Sequence, residues 1–205
     1  GVGPEFARHI ADGLGVPVSY VQFPTPGELA DAVTENVWDI GLIGAEPTRA
    51  EKIAFTAAYV EIEATYLVPE GSPLNTIEDV DAEGVRIAVS GRSAYDLYLS
   101  RSLKHAELHR AQGLPGALEL FMAEKMDALA GLRPALTGDL DKVPGGRILD
   151  GQFTAVQQAV GTARTKPEAA AYLSDVVEDA KASGLIARLI EKHKVVGRLS
   201  VACPA

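Results

Sequence analysis

One stretch constrains this chain more than any other: Asp39 to Phe55, in which an apolar run stops at Gly44 and a proline-started polar turn carries Arg49. A continuous apolar run with a hard stop predicts a buried strand. Trp38 to Ile43 would deliver the chain to the end of a sheet, and Gly44 to Arg49 would turn it into a short helix. Ligands of open α/β sheets sit beyond such strand ends. A guanidinium there offers a planar fork of donors that matches a carboxylate two bonds at a time. Arg49 is therefore the first candidate for a ligand anchor, with Gly44 and Glu46 beside it. The competing reading is a surface pairing of Arg49 with Glu46 or Glu51, which would contribute little.

The flanking sequence alternates helix and strand. Pro4 is placed as the first residue of a helix running to Gly13, and Gly15 stops it. Val16 to Phe23, rich in β-branched and aromatic residues, reads as a strand. Glu28 to Glu35 reads as a helix. This alternation predicts a mostly parallel sheet with helices on its faces. A domain of this class that opens on a helix suggests a preceding strand outside the sequence, and no signal peptide is evident.

From Thr56 the pattern changes. Ala58 to Val68 is a long β-rich segment closed by the loop signal Pro69 to Pro73, and a second α/β block starts with the buried strand Val85 to Val89. The turn Ser90-Gly91-Arg92-Ser93 leads into a helix from Ala94 to about Ser102. Ser93 and Asp96 form a capping-box pattern, and the free amides of a helix N-terminus suit an anion. Ser90, Ser93 and Arg92 are the second candidate group; capping alone is an equally good reading of Ser93 and Asp96. Gly116 to Met126 reads as a helix with Leu118, Phe121 and Met122 on its apolar face. Asp127 to Leu132 reads as a strand, and Asp139 to Arg147 as an exposed loop. Phe153 to Gly161, which contains Gln158, is a second long β segment that returns the chain to the first block. Lys166 to Ser183 and Leu185 to Lys194 read as helices, and Gly197 to Ala205 as a loosely held tail.

Composition removes several function classes. The 205 residues suffice for one large domain or for two lobes of about 100 residues each. A net charge of −9 argues against a nucleic-acid or anionic-membrane surface. Cys203, the single cysteine, cannot form an internal disulfide. The four histidines show no metal-ligand spacing, and His105 and His109, four apart, read as two solvated residues of one helix face. No apolar run is long enough to span a membrane. No metal or cofactor is expected.

Trp38-Asp39-Ile40, Arg49, Ile53 to Thr56 with Tyr59, and Tyr66 to Pro69 together resemble the amino-acid-type periplasmic solute-binding proteins of ABC importers. Gly84 to Val89, Met126 to Ala128 and Gly184 to Ala187 extend the resemblance over nearly the whole chain. It implies an α/β protein of the type II two-lobed class, with lobe 1 formed by residues 1–64 and 161–205 and lobe 2 by 65–160. Two crossover strands would serve as the hinge, and the first N-terminal strand is expected to be missing. The resemblance also implies a periplasmic monomer, without enzymatic activity, that closes on a small anionic or zwitterionic solute and presents it to a membrane permease. In that family an arginine six residues before the signature phenylalanine clamps the ligand carboxylate, as Arg49 precedes Phe55.

Two departures bear on the ligand. The segment Gly44 to Thr48 is shorter than the family's Ser/Thr-rich approach to the arginine. The aspartate that pairs with an α-ammonium in amino-acid binders is replaced by Leu132. Unless Glu46 or Glu63 substitutes, a free ammonium would be poorly compensated. A small organic acid or unusual amino-acid derivative is therefore expected. Two other readings remain: a lyase similar to cyclohexadienyl dehydratases, which would need a carboxylate general acid, and the ligand-binding ectodomain of a receptor kinase.

Overall fold

Helix α1 (Val2–Leu14) forms because Val2, Phe6, Ala7, Ile10 and Ala11 recur at helical spacing, and all five are buried. Gly15 closes it in the left-handed conformation, φ 66°, where a side chain would be strained. In this computed structural model, which describes residues 1–205, the chain forms two compact units. Unit 1 comprises Gly1–Ile62 with Gln157–Ala205, and unit 2 comprises Glu63–Val156. The chain passes between them inside strands β3 (Val60–Val68) and β8 (Thr154–Ala163).

In unit 1, helix α2 (Pro26–Asp31) is capped by the Thr25 hydroxyl, which accepts from the Glu28 amide. A 3-10 turn, Ala32–Glu35, then leads to β1 (Gly41–Gly44), α3 (Pro47–Ala50) and β2 (Ile53–Phe55). Both β1 and β2 pair antiparallel with β8, meeting it together at Gly161. The core gathers Phe6 and Ile10 from α1 with Tyr59 and Val160. Leu173 and Val177 join from α8 (Pro167–Ala182), and Ile186 and Ile190 from α9 (Leu185–Lys192). Phe6 meets the Tyr59 ring edge-on, with centroids 5.1 Å apart.

Three expectations fail here. Val16 to Phe23 forms no regular element and pairs with no strand. The sequence carries β propensity, but a strand exists only where a neighbour completes its hydrogen bonds. With that pairing absent, β1 and β2 run antiparallel to β8 and β9 antiparallel to β3, in place of the mostly parallel sheet expected. The C-terminal tail is also held, not loose. Strand β9 (Ser200–Val201) pairs with β3, Ala202 is buried, and the Lys181 ammonium donates to the carbonyls of Ala58 and Cys203.

Unit 2 is where parallel pairing occurs. Strand β4 (Arg86–Ser90) lies parallel to both β5 (Glu107–Ala111) and β6 (Ala128–Leu132), and β6 runs antiparallel to β3. Helix α4 (Ile77–Val80) has a full capping box from Thr76 and Asp79. Helices α5 (Ala94–Ser102), α6 (Gly113–Ala123) and α7 (Arg133–Asp139) follow β4, β5 and β6. One core packs Tyr66, Ile87, Val89 and Leu99; a second packs Leu67, Ala88, Phe121 and Leu136.

Three further readings are corrected in this unit. His105 and His109 share no helix: His105 precedes β5, and His109 lies within it. Met122 is exposed because α6 already buries Ala117, Leu118 and Phe121. The segment 139–147 is not one open loop; it contains a 3-10 turn, Leu140–Lys142, and strand β7 (Arg147–Ile148), which pairs with β3.

Candidate functional site

The candidate anchor of unit 1 is interior, not a surface charge. Arg49 is 6% exposed, and its Nη1 donates to the Gly44 carbonyl at 2.9 Å. The bond is a direct product of the local fold: Gly44 ends β1, Pro47 starts α3, and this short turn folds Arg49 back on the strand end. Glu46, also 6% exposed, occupies the N-cap position of α3. Gln158 stands opposite Gly44 in the β1–β8 ladder. Gly44, Glu46, Arg49 and Gln158 are thus brought to one strand end. A buried guanidinium and a buried carboxylate on one short turn are groups able to orient a small charged or polar ligand.

In unit 2, Ser90, Arg92 and Ser93 occupy the turn between β4 and α5, at the carboxyl end of a parallel strand. Both serine hydroxyls are buried. Ser93 Oγ donates to the Ser90 carbonyl at 2.8 Å and accepts from the Asp96 amide at 3.1 Å. The Asp96 carboxylate accepts not from the N-cap amide of a capping box but from the Arg92 amide, at 2.7 Å. It also receives Arg110 Nε at 3.0 and 3.1 Å and the Ser100 hydroxyl at 3.2 Å. Ser93 is therefore chiefly a cap. What the turn offers an anion is the amides of Ala94 and Tyr95 at the start of α5. The Tyr95 hydroxyl is buried without a hydrogen-bond partner, and burial pushes its phenol up to about 12. The Arg92 side chain is exposed.

Leu132 ends β6, whose carboxyl end lies beside that of its parallel neighbour β4. It packs against the unit 2 core and offers no polar group. The next residue supplies one that sequence reasoning missed. Arg133 Nε pairs with Glu63 at 2.5 Å, and its Nη2 donates to the Gly151 carbonyl. The signal was present, since Arg133 stands directly after an apolar strand, as Arg49 stands in the turn after one. Glu63 is thereby ion-paired, not a free carboxylate. No group of three or more His, Cys, Asp or Glu could hold a metal ion, and no helix is long and apolar enough to cross a membrane.

The sequence pattern of the bacterial extracellular solute-binding proteins, family 3, matches residues 1–195. The chain belongs to that family. No curated protein matches the sequence significantly. Solved structures carry the same α/β fold, that of the two-lobed periplasmic binding proteins. A solute receptor for L-cysteine of Neisseria gonorrhoeae superposes with TM-score 0.79 at 18% identity, covering 97% of this chain and 81% of its own. A putative ABC-transporter binding component from Wolinella succinogenes, complexed with lysine, gives 0.78 at 19%, covering 94% and 84%. An ancestral amino-acid-binding protein, precursor of cyclohexadienyl dehydratase, gives 0.75 at 20%, covering 94% and 84%. At these identities the likeness concerns the fold alone, and solute-binding is the role the family assigns.

Proposed function

We propose that this protein is an extracytoplasmic, periplasmic solute-binding protein that captures a small carboxylate-bearing molecule and delivers it to an ABC importer. The observation that carries the reading is Arg49, a buried arginine held by the Gly44 carbonyl at the end of β1. In this reading Arg49 grips the carboxylate, the Ala94 and Tyr95 amides supply a second anion-binding turn, and β3 and β8 serve as hinges between lobe 1 and lobe 2. The protein works as a monomer and presents its loaded form to the permease.

The end of β6 favours an organic acid over an ordinary α-amino acid. Leu132 offers no counter-charge, Arg133 is cationic, and Glu63 is already paired with it. An α-ammonium placed there would be desolvated without compensation. Glu46 is the buried carboxylate that could serve an ammonium, or act as general acid in a lyase of the dehydratase type. Product formation from prephenate or arogenate would favour that second reading.

The test is a thermal-shift and calorimetric screen of simple mono- and dicarboxylates against the standard amino acids. A ligand at 100 times its Kd should add about 2.7 kcal/mol, which raises the Tm of a chain this size by roughly 5–10 °C. Arg49→Ala should abolish the shift while circular dichroism shows the fold retained, and Arg49→Lys should weaken it at least about tenfold, since a lysine cannot reproduce the fork. Unchanged binding in Arg49→Ala would remove Arg49 from the site.

A further inference from the structure

Unit 2 carries a cation where β6 ends, and the carboxylate that balances it is loosely held. Leu132 is the last residue of β6, and Arg133 opens α7 directly after it. In the β3–β6 ladder Leu132 stands opposite Ala64. The next rung outward therefore sets Arg133 against Glu63, and the two side chains meet there, Nε to Oε2 at 2.5 Å. Arg133 Nη2 also donates to the Gly151 carbonyl, and Nη1 to the Leu149 carbonyl at 3.4 Å. Those three bonds leave one N–H on each Nη unused.

Exposure separates the two partners. The Arg133 side chain is 28% exposed and the Glu63 side chain 54%. An ion pair whose carboxylate stands that far in water contributes little, so Glu63 is a counter-ion easily exchanged for another. A ligand carboxylate that displaces it gains the Nε–H and finds the unused N–H groups beside it. The neighbouring strand adds to the positive field. The β4–β6 register pairs Ile87 with Ala128 and Ala88 with Leu129; carried on to the strand ends, it sets Gly91 level with Leu132. The turn that opens α5 is thus one strand away from Leu132, about 5 Å across the sheet, and a helix presents its positive end at that terminus. The buried carboxylate of that turn, Asp96, is already held by Arg110 and the Arg92 amide. Leu132 adds no charge of its own.

We propose that the solute is a dicarboxylate, and that Arg133 selects it by receiving the second carboxylate in place of Glu63. The proposal rests on the reading of the solute as carboxylate-bearing and adds its chemical class. Glu63 is in this account a stand-in, occupying the guanidinium until the ligand arrives.

Acids of equal chain length isolate the second carboxylate: succinate against butyrate, glutarate against valerate, adipate against hexanoate, each titrated by calorimetry into the full chain. At least one diacid should bind about tenfold or more tighter than its monoacid, the value of one charge-assisted contact. Glu63→Gln removes the competing carboxylate and should widen that ratio by about threefold or more. Arg133→Gln should bring the ratio to about one, whereas an Arg133 that only ties the chain together would weaken both acids of a pair alike. If Arg133→Gln fails to fold, having lost its ties to Leu149 and Gly151, Glu63→Gln decides alone. A ratio near unity in all three pairs overturns the proposal, as does a ratio that Glu63→Gln leaves unchanged or lowers. Monoacid binding that Arg49→Ala abolishes would let the carboxylate reading survive that failure; if no acid binds, both readings fall.

Discussion

Arg92 is one of four non-glycine residues at positive φ, standing at 62°, and it does so in the middle of the candidate anion turn of unit 2. The left-handed conformation costs about 1–2 kcal/mol for a residue with a Cβ. The structure offsets that cost by giving its amide to the Asp96 carboxylate, which Arg110 holds in place. A strained residue with an exposed cationic side chain at a strand end is a candidate for a role in binding. Arg92→Gly should therefore separate two effects. Stability should rise by about 0.5–1 kcal/mol, because glycine adopts this φ freely yet loses more backbone entropy on folding. Affinity for a carboxylate ligand should fall. Denaturant melts and calorimetry on the same variant check both; a loss of stability would mean that the guanidinium, not the Arg92 amide, secures the turn. At this scale the place of Arg49 beside the end of β1 was legible in the sequence, since an arginine after a strand-ending glycine needs only local order to be recognised. The roles of Asp96 and Arg110 were not legible, because they depend on β5 bringing Arg110 beside α5, a contact made across fourteen positions of sequence.

At the scale of elements, periodicity identified most helices and the two long strands, and it failed where pairing decides. Val16 to Phe23 has the composition of a strand, but composition cannot supply a partner. His105 and His109 have helical spacing, yet the surrounding residues belong to a parallel strand registered against β4, with Ala88 opposite His109. Gly161 is the reverse case, a residue silent in the sequence and decisive in the sheet. It faces Gly41 of β1 and Phe55 of β2, and a Cβ there would stand 2.5 Å from Ile53 Cγ2. Ile53 is 1% exposed and has no room to move. Gly161→Ala should cost about 1–3 kcal/mol by overpacking and lower the Tm by roughly 2–4 °C per kcal/mol. Gly138 in α7 meets nothing within 4 Å, so Gly138→Ala should stabilise by about 0.5–1 kcal/mol. Thermal melts of the pair decide it; equal effects at the two sites would mean that the β1–β2–β8 junction is looser than its packing implies.

For the whole molecule, the units differ in how the chain builds them. Unit 1 is assembled from two separate stretches, and its core joins α1 to α8 and α9 from opposite ends of the sequence. Unit 2 is one uninterrupted segment, Glu63–Val156, and every member of its two core clusters lies inside that segment. Its long-range ties are internal as well. Asp127 accepts from the Arg86 amide, Thr65 donates to the Leu149 carbonyl, and Asp81 accepts from the amides of Lys104, His105 and Ala106. A segment with its own core and closed hydrogen-bond ladders meets the physical definition of a domain. Residues 63–156 expressed alone should therefore fold cooperatively, with native-like circular dichroism and a dispersed amide spectrum in NMR. Residues 1–62 alone should not, because Val160, Leu173, Val177 and Ile186 of their core are supplied by the later stretch. If the 63–156 segment gave only a broad, non-cooperative melt, the sheet shared through β3 and β8 would be the true folding unit, and each crossing strand would be structural support before it was a hinge.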